Sequence, residues 1–200
     1  PKESLNLGVE DFTRYEFKYL LNAHQRDELE GEVRQFMQYD GHVSKELDNA
    51  YIVRSLYFDN PSSHHYYEKT DGIKSRHKFR LRTYGSKIHT DTPVYLEQKG
   101  RNKERTYKHR TRIKSKELPL FYSSNNRTDL LTLYPGNALV EQFVYDSFRR
   151  DIDPVILVDY VRRPYTSNYD MNFRITFDAQ LSALPTNNLY PGGLASWKSC

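Results

Sequence analysis

The sequence predicts an α+β protein built around an antiparallel sheet. Three consecutive segments, "KFRLRTYG", "PVYLEQKGR" and "YKHRTRI", alternate charged or polar residues with apolar ones, as strands with two different faces do. Two further segments, near 23–38 and 138–150, repeat apolar residues at helical spacing. A chain of 200 residues can form one barrel-like domain of this class.

The composition describes a folded, charge-rich protein. Its 17 Tyr and 10 Phe residues argue against disorder, while a net charge of +4 is too small to indicate a polyanionic partner by itself. The single cysteine, Cys200, excludes an internal disulfide framework and a cysteine-ligated metal site. We find neither a transmembrane segment nor a secretory signal pattern, so we expect a cytoplasmic protein, or the cytoplasmic part of a longer one.

The N-terminal part of the chain predicts a strand followed by a helix. The segment "FTRYEFKYLL" alternates, which places Arg14, Glu16 and Lys18 on one face. Asn22 is the expected N-cap of a helix from about 23 to 38, because its side chain can accept a hydrogen bond from a backbone N–H of the first turn. Packing explains the apolar residues of this helix.

A second strand and a short helix are predicted next. In "YIVRSLYFD", Arg54 falls on the face of the apolar residues two and four positions further on. The segment 60–72 has an N-cap, a proline at the first helical position and a terminating glycine. His64 and His65 are adjacent there and face different directions on a helix, which favours surface histidines over a metal site.

The three central strands carry basic residues on one shared face. When such strands pair, like charges lie opposite one another, which is destabilising unless a polyanion is present. The alternative is a solvated outer face of a sheet whose apolar face covers the core. The residues on the shared face are Lys78, Arg80, Arg82, Tyr95, Glu97, Lys99, Lys108, Arg110 and Arg112.

The C-terminal half predicts one helix and two strands. Residues 115–127 are expected to be irregular, and Asn137 caps a helix over about 138–150. The strands "PVILVDYVRRPY" and "NFRITFDAQL" follow and carry Arg162 and Arg174, and the tail has no clear element. The apolar stripe of the helix, which we assign to the core, consists of Leu139, Val140, Phe143, Val144 and Phe148.

The basic faces together indicate a cationic channel. If the sheet curls so that these faces turn inward, helices cover its apolar outside and Arg and Lys line the interior. Arginine binds phosphate oxygens through paired hydrogen bonds and lysine acts as a point charge, so a linear triphosphate is the expected occupant. Glu16 and Glu97 either share Mg²⁺ or Mn²⁺ with phosphate oxygens or form salt bridges. No Walker loop, kinase loop, Ser-His-Asp arrangement or HExxH helix is present.

The ordered segments resemble a known family. "RYEFKYLL", "VRSLYFDNP", "KFRLRTYG", "VYLEQKGR", "YKHR", "DYVRRPY" and "FRITFD" follow the motif order of the VTC domain, the catalytic domain of ATP-dependent polyphosphate polymerases, over about 12–180. The resemblance implies one tunnel domain over 1–200, an antiparallel eight-stranded β-barrel of the triphosphate tunnel metalloenzymes with flanking helices. Arg14 in Arg-x-Glu-x-Lys is similar to bacterial VTC domains, whereas the adenylate cyclase branch begins Glu-x-Glu-x-Lys.

The resemblance also implies roles for individual residues. ATP and inorganic polyphosphate would be the partners, and the γ-phosphoryl group of ATP would be transferred to the growing chain. Glu16 and Glu97 would hold Mg²⁺ or Mn²⁺. Residues expected to act in catalysis are Lys18, Arg80, Arg82, Lys99 and Arg162. Residues expected to bind phosphate are Lys108, Arg110 and Arg174, with Lys78 and Arg54 as accessory lumen residues; Arg112 has no counterpart in the family pattern.

One departure from the family keeps alternatives open. The family's last strand carries Glu-x-Lys with a metal-binding glutamate, and nothing after Asp178 matches it, since "LASWKSC" has no acidic residue. Either the chain stops before that strand or the barrel closes differently. A tri- or polyphosphatase and a non-catalytic polyphosphate-binding module are therefore alternatives. Nucleic acid is disfavoured because aromatic residues such as Phe79 and Phe173 fall on the face opposite the cations.

Overall fold

The computed structural model of the protein describes residues 10–41, 43–62, 67–68, 71–73, 75–85, 87–102, 105–170, 172–192 and 197–199; for 10–14, 75, 102, 105 and 199 it describes the backbone. The strands are β1 (Glu10–Arg14), β2 (Met37–Tyr39), β3 (Tyr51–Asp59), β4 (Ser75–Gly85), β5 (Val94–Asn102), β6 (Arg105–Ile113), β7 (Asp153–Ser167), β8 (Arg174–Pro185) and β9 (Lys198–Ser199). The α-helices are α1 (Ala23–Phe36), α2 (Pro119–Tyr122), α3 (Asp129–Leu133) and α4 (Ala138–Arg150).

The strands form one curled antiparallel sheet. Its order is β1-β6-β5-β4-β3-β7-β8-β9. β2 pairs with the last residues of β7, and β3 pairs with the preceding part of the same strand. Within the described residues this order is an open path, so the strands make a half-barrel. The α+β class and the antiparallel sheet are confirmed, and the closed eight-stranded tunnel stays a prediction. The three central strands occur as predicted.

The outer face of the sheet packs against the helices. Phe143 of α4 is fully buried and contacts Phe58 of β3, Phe79 of β4 and Phe121 of α2, with ring centroids 5.1, 5.4 and 5.3 Å apart. Aromatic contacts and apolar burial of this kind supply most of the stabilisation of such a core. The sequence pattern of α4 is confirmed except at Phe148, which is 56% exposed. Ser147, four residues after Phe143, takes the buried position in the last turn instead.

Helix α1 packs on a separate part of the outer face. Asn22 and Gln25 form a capping box at its start, as the sequence predicts for Asn22. The apolar contact between α1 and the sheet involves Val33, Met37 and Tyr165. The helix ends at Phe36, and the chain continues directly into β2, which the sequence pattern does not predict.

The predicted first strand is wrong in position. β1 ends at Arg14, and residues 15–22 have no regular secondary structure. The two strands are antiparallel, so Arg14 pairs with Thr106, and the first residue of β6 is Arg105. A longer β1 would therefore extend beyond the end of β6. Phe17 is consequently exposed, as are its aromatic neighbours.

Three other segments differ in part from their predictions. Residues 115–127 contain α2 and two single 3₁₀ turns, so the irregular segment is corrected to short helical turns. Of the predicted helix over 60–72, residues 67 and 68 are helical, residues 61, 62, 71 and 72 are turns, and residues 63–66, with His64 and His65, and 69–70 lie outside the described residues. The tail adds β9, which pairs with β8. No described helix is long and apolar enough to cross a membrane.

Candidate anion-binding site

Nine residues of β4, β5 and β6 form a regular array on one face of the sheet. Strand register aligns them in three rows, since directly opposite residues of paired strands share a face. We call these nine residues the basic array. Its rows are Lys78, Lys99 and Lys108; Arg80, Glu97 and Arg110; and Arg82, Tyr95 and Arg112.

The array lies on the concave side of the sheet. The alternate residues of the same strands, such as Phe79 and Leu96, are fully buried against the helices. Arg80 and Arg82 are nevertheless buried too, by side chains of the neighbouring strands rather than by a described helix. The sheet is a curled half-barrel, and the strand register places all nine residues of the array on one of its faces. The predicted shared face is therefore confirmed in its geometry.

Glu97 is the buried centre of the array. Arg80 donates to its Oε2 from Nε at 2.8 Å and from a terminal nitrogen at 2.6 Å, and the Tyr84 hydroxyl donates to Oε1 at 3.2 Å. Lys108 Nζ lies 3.6 Å from Oε1 and an Arg82 nitrogen 3.8 Å from Oε2. Burial raises the pKa of Glu97, but the surrounding cations outweigh it and lower the pKa to about 2. Glu97 therefore stays ionised and orients the cations.

The lysine row places three cations opposite one another. Burial, together with Arg110, Arg80 and Arg82, lowers the pKa of Lys108 to about 8, against the attraction of Glu97. Burial also lowers the pKa of Lys99, although Glu16 opposes this. Each lowered pKa means that the charged lysine is less stable in the ligand-free protein than in water. An anion bound on this row would stabilise the charged lysines.

Two more predicted residues extend the site onto β7 and β8. Arg162 lies opposite Asp178 in register and donates two hydrogen bonds of 2.7 Å to its carboxylate. Its guanidinium lies 5.2 Å from the ring centre of Tyr160, whose ring also lies 6.0 Å from the Arg82 guanidinium. Arg174 approaches Asp40 at 3.6 Å and is half exposed. Tyr160 thus connects the basic array to Arg162.

Glu16 reaches the array although its predicted strand does not form. Its carboxylate accepts a hydrogen bond from Lys99 Nζ and lies 3.8 Å from Lys18 Nζ. The Lys18 side chain is 79% exposed. The structure therefore brings Glu16 to the edge of the lysine row and places Lys18 outside the array.

The prediction that Arg54 lines the channel is wrong. Arg54 lies opposite Thr83 and Asp159, on the face that carries the buried core. It donates to the Asp159 carboxylate at 3.0 and 2.7 Å, and its guanidinium lies 5.6 Å from the ring centre of Trp197. The alternation along β3 excludes it from the array's face, since it shares a face with Leu56.

Sequence reasoning missed the residues of β3 that touch the array. Ser55 Oγ accepts a hydrogen bond of 2.8 Å from Arg82, and the Tyr57 hydroxyl accepts one of 3.0 Å from Arg80. The same alternation that excludes Arg54 could have found both. With Tyr84, Tyr95 and Tyr160, Tyr57 also corrects the expectation that aromatic residues avoid the cationic face.

The two glutamates differ in how well they suit a divalent cation. The described residues hold no group of three or more His, Cys, Asp or Glu side chains that could ligate a metal. Glu97 does not fit, because Arg80, Arg82 and Lys108 surround its oxygens. Glu16 fits better, since its side chain is 34% exposed and Mg²⁺ often uses one carboxylate together with substrate phosphates.

The fold and the array define a sheet protein with a concave cationic face suited to anionic ligands. A family model described as the VTC domain matches residues 13–198, and the chain therefore belongs to the VTC domain family. Membership implies phosphate-containing ligands.

Comparison with curated proteins gives no match. Among solved structures, the chain is similar to the PH1819 protein from Pyrococcus horikoshii OT3, with 16% identity, a TM-score of 0.39, and 86% of this chain and 71% of that chain covered. It is also similar to a candidate adenylate cyclase (bh2851) from Bacillus halodurans, with 10% identity, a TM-score of 0.41, and 95% and 79% covered.

Proposed function

We propose that the protein is an ATP-dependent polyphosphate polymerase that transfers the γ-phosphoryl group of ATP to a growing polyphosphate chain. The observation that carries the proposal is the basic array, in which seven of nine aligned positions are Lys or Arg. A linear chain of phosphates matches seven cations spread over three parallel rows, whereas a single phosphate would use only a few of them.

The array suits phosphoryl transfer because that reaction needs positioning and charge neutralisation more than covalent help from the protein. A terminal oxygen of polyphosphate attacks the γ-phosphorus of ATP, the bond from γ-phosphorus to the bridging oxygen breaks, and ADP leaves. Arg80 is held by Glu97 and Arg82 by Ser55, so both guanidinium groups are oriented before substrate binds. The lysine row and Arg162 then stabilise charge on the neighbouring phosphates.

Metal dependence is part of the proposal. Glu16 is the residue that would hold Mg²⁺ or Mn²⁺ together with phosphate oxygens, and the ion would neutralise part of the triphosphate charge. Lys18 would join the site from the same segment. We further propose that residues 1–200 act as one tunnel domain that closes toward an eight-stranded barrel, and that the protein is cytoplasmic, where ATP is available.

A product assay tests the proposal. The full chain is incubated with ATP, Mn²⁺ or Mg²⁺ and a short polyphosphate primer, and the products are separated by length on a gel. Long-chain polyphosphate and stoichiometric ADP are expected, and a variant with both Arg80→Ala and Arg82→Ala should form neither. Free phosphate or pyrophosphate as the sole product would instead identify a tri- or polyphosphatase.

A non-catalytic polyphosphate-binding module is the second candidate. The observation that favours it is the engagement of Glu97 by cations, which removes one of the two expected metal ligands. Tight, steeply salt-dependent binding of polyphosphate without ATP turnover would support it. An RNA of equal charge serves as the competitor, and equal binding of RNA would contradict both phosphate-chain functions.

A further inference from the structure

Tyr57 is a polar residue of the concave face to which no motif assigns a role. It lies on β3, opposite Arg80 of β4 on one side and Ile156 of β7 on the other. Its hydroxyl oxygen is 3.0 Å from a terminal nitrogen of Arg80, which donates to it. On its other edge, Arg80 donates to Glu97, so this guanidinium lies between a carboxylate and a phenol.

The charged groups around Tyr57 are mostly positive. From β4, Lys78 Nζ and the Arg80 guanidinium each lie 5.7 Å from the centre of its ring, and Arg82 is close enough to act on the hydroxyl electrostatically. From β7 it faces the apolar Ile156. On β3 its neighbours two residues away are Ser55 and Asp59, and Glu97 of β5 acts through Arg80.

We propose that Tyr57 is a phosphate-binding residue whose protonation is coupled to ligand binding: its oxygen is anionic in the free protein and accepts from Arg80, and on binding it takes up a proton from solvent and donates a hydrogen bond to a phosphate oxygen. The inference rests on the proposed phosphate-chain ligand, and it does not depend on turnover. The proton balances the added negative charge, because the phosphates replace the phenolate as the partner of Arg80.

The electrostatics agree with this geometry. Burial raises the pKa of Tyr57, but Arg80, Arg82 and Lys78 outweigh burial and lower the pKa to about 7. Phosphates that neutralise these cations remove the cause of the lowering, and burial then moves the pKa upward again. Other tyrosines differ, since burial raises the pKa of Tyr84 and of Tyr122 to about 12.

Ultraviolet difference spectroscopy reads this event directly, because tyrosinate and tyrosine absorb differently. The full chain is titrated with inorganic polyphosphate at a pH of about 8, where Tyr57 is ionised in the free protein. We expect the loss of about one tyrosinate per chain on saturation. Inorganic polyphosphate is the probe because it has no base that absorbs in this region.

Two variants sharpen the measurement. Tyr57→Phe should lack the tyrosinate signal and its loss on binding, and its affinity should vary less between pH 7 and 8, where the wild type weakens by up to about tenfold per pH unit for one proton taken up. Tyr145→Phe removes an exposed tyrosine of α4 and is the matched control, which should keep the wild-type signal.

The outcomes separate this inference from the proposed function. If calorimetry detects polyphosphate binding while the wild-type tyrosinate signal is absent or unchanged, the inference on Tyr57 is overturned and the proposed function stands. If polyphosphate does not bind, both are overturned. The wild-type titration decides the matter even if Tyr57→Phe fails to fold.

Discussion

Two buried glutamates of this protein have similar surroundings and different charge balances. Glu97 lies at the centre of the concave face, among Arg80, Arg82 and Lys108. Glu30 of α1 lies on the outer face, where Arg163 donates to both of its oxygens at 2.9 Å. Cations and a tyrosine hydroxyl bind the carboxylate in each case, and both carboxyl pKa values are lowered.

The outer cluster is balanced. Glu30 is bound by Tyr165, Arg163 and Arg34, and Arg163 also donates to Asp48 at 2.7 Å, so two arginines meet two carboxylates. The network joins α1 to β7 and leaves no net charge. Such a closed network is structural, because every charge is offset by a neighbour within the protein.

Among the side chains that the structure describes, the concave cluster carries a surplus of cations over carboxylates. The nine residues of the basic array include seven cations and one carboxylate, Glu16 adds a second carboxylate at its edge, and Glu10 of β1 lies opposite Arg110 in register. A folded protein tolerates such a surplus at a cost in stability. The excess of cations over carboxylates, rather than the presence of arginine–glutamate pairs, therefore distinguishes a binding face from a structural contact.

Removing cations from the basic array should have the largest effect on binding. In the Arg80→Ala, Arg82→Ala double variant, each lost charged hydrogen-bond donor costs about 1.5–3 kcal/mol of binding, so ATP and polyphosphate affinity should fall by about a hundredfold or more. Arg163→Ala is the matched control and should bind normally. Calorimetry on variants shown by circular dichroism to be folded makes the measurement. Unchanged affinity in the double variant would exclude the array as the binding site.

A second test replaces each buried carboxylate by a neutral amide. Glu97→Gln and Glu30→Gln each disrupt a buried ion pair and should lower the free energy of unfolding by about 3–5 kcal/mol. Polyphosphate should restore more stability to Glu97→Gln, because its negative charge replaces the lost carboxylate among the cations. Chemical unfolding with and without polyphosphate measures the difference, and equal restoration in both variants would contradict the charge surplus.

The pH dependence of binding is the third test and has a smaller effect. The pKa of Lys108 is lowered to about 8 in the folded protein from 10.5, so the cost of its charge is fully present below pH 8 and is relieved as the pH rises from 8 to 10.5. The free protein should therefore gain stability over that window while polyphosphate affinity falls, by about tenfold. Lys108→Met should flatten the part of the profile above pH 8. A wild-type affinity that does not change between pH 8 and 10.5 would contradict the lowered pKa of Lys108.

The sequence predicts the array well because its geometry depends on a local rule. Alternation along each strand determines the face of Arg80, Lys99 and Arg110, and hairpin pairing of successive strands then aligns them. The helix α4 follows equally from its cap and its apolar spacing. These features need no knowledge of distant parts of the chain.

The features that the sequence does not predict depend on long-range contacts. β1 ends where its partner β6 begins, so the alternation in residues 15–22 produces no strand. The pairing of Glu97 with Lys108 depends on register across β5 and β6 together with the burial of both side chains, and motif comparison alone suggests a metal ligand there. A local pattern indicates a strand, and its partner decides whether the strand forms.

Arg54 gives the smallest expected effect on binding and tests the assignment of faces most directly. Arg54→Ala removes the three hydrogen bonds to the half-buried Asp159 carboxylate, so the free energy of unfolding should fall by about 1–3 kcal/mol. Polyphosphate affinity should change by less than about twofold, since the side chain lies on the face opposite the array. Denaturant unfolding and calorimetry on the same sample measure both. A large loss of affinity with little loss of stability would mean that Arg54 contacts the ligand and that the face assignment along β3 is incorrect.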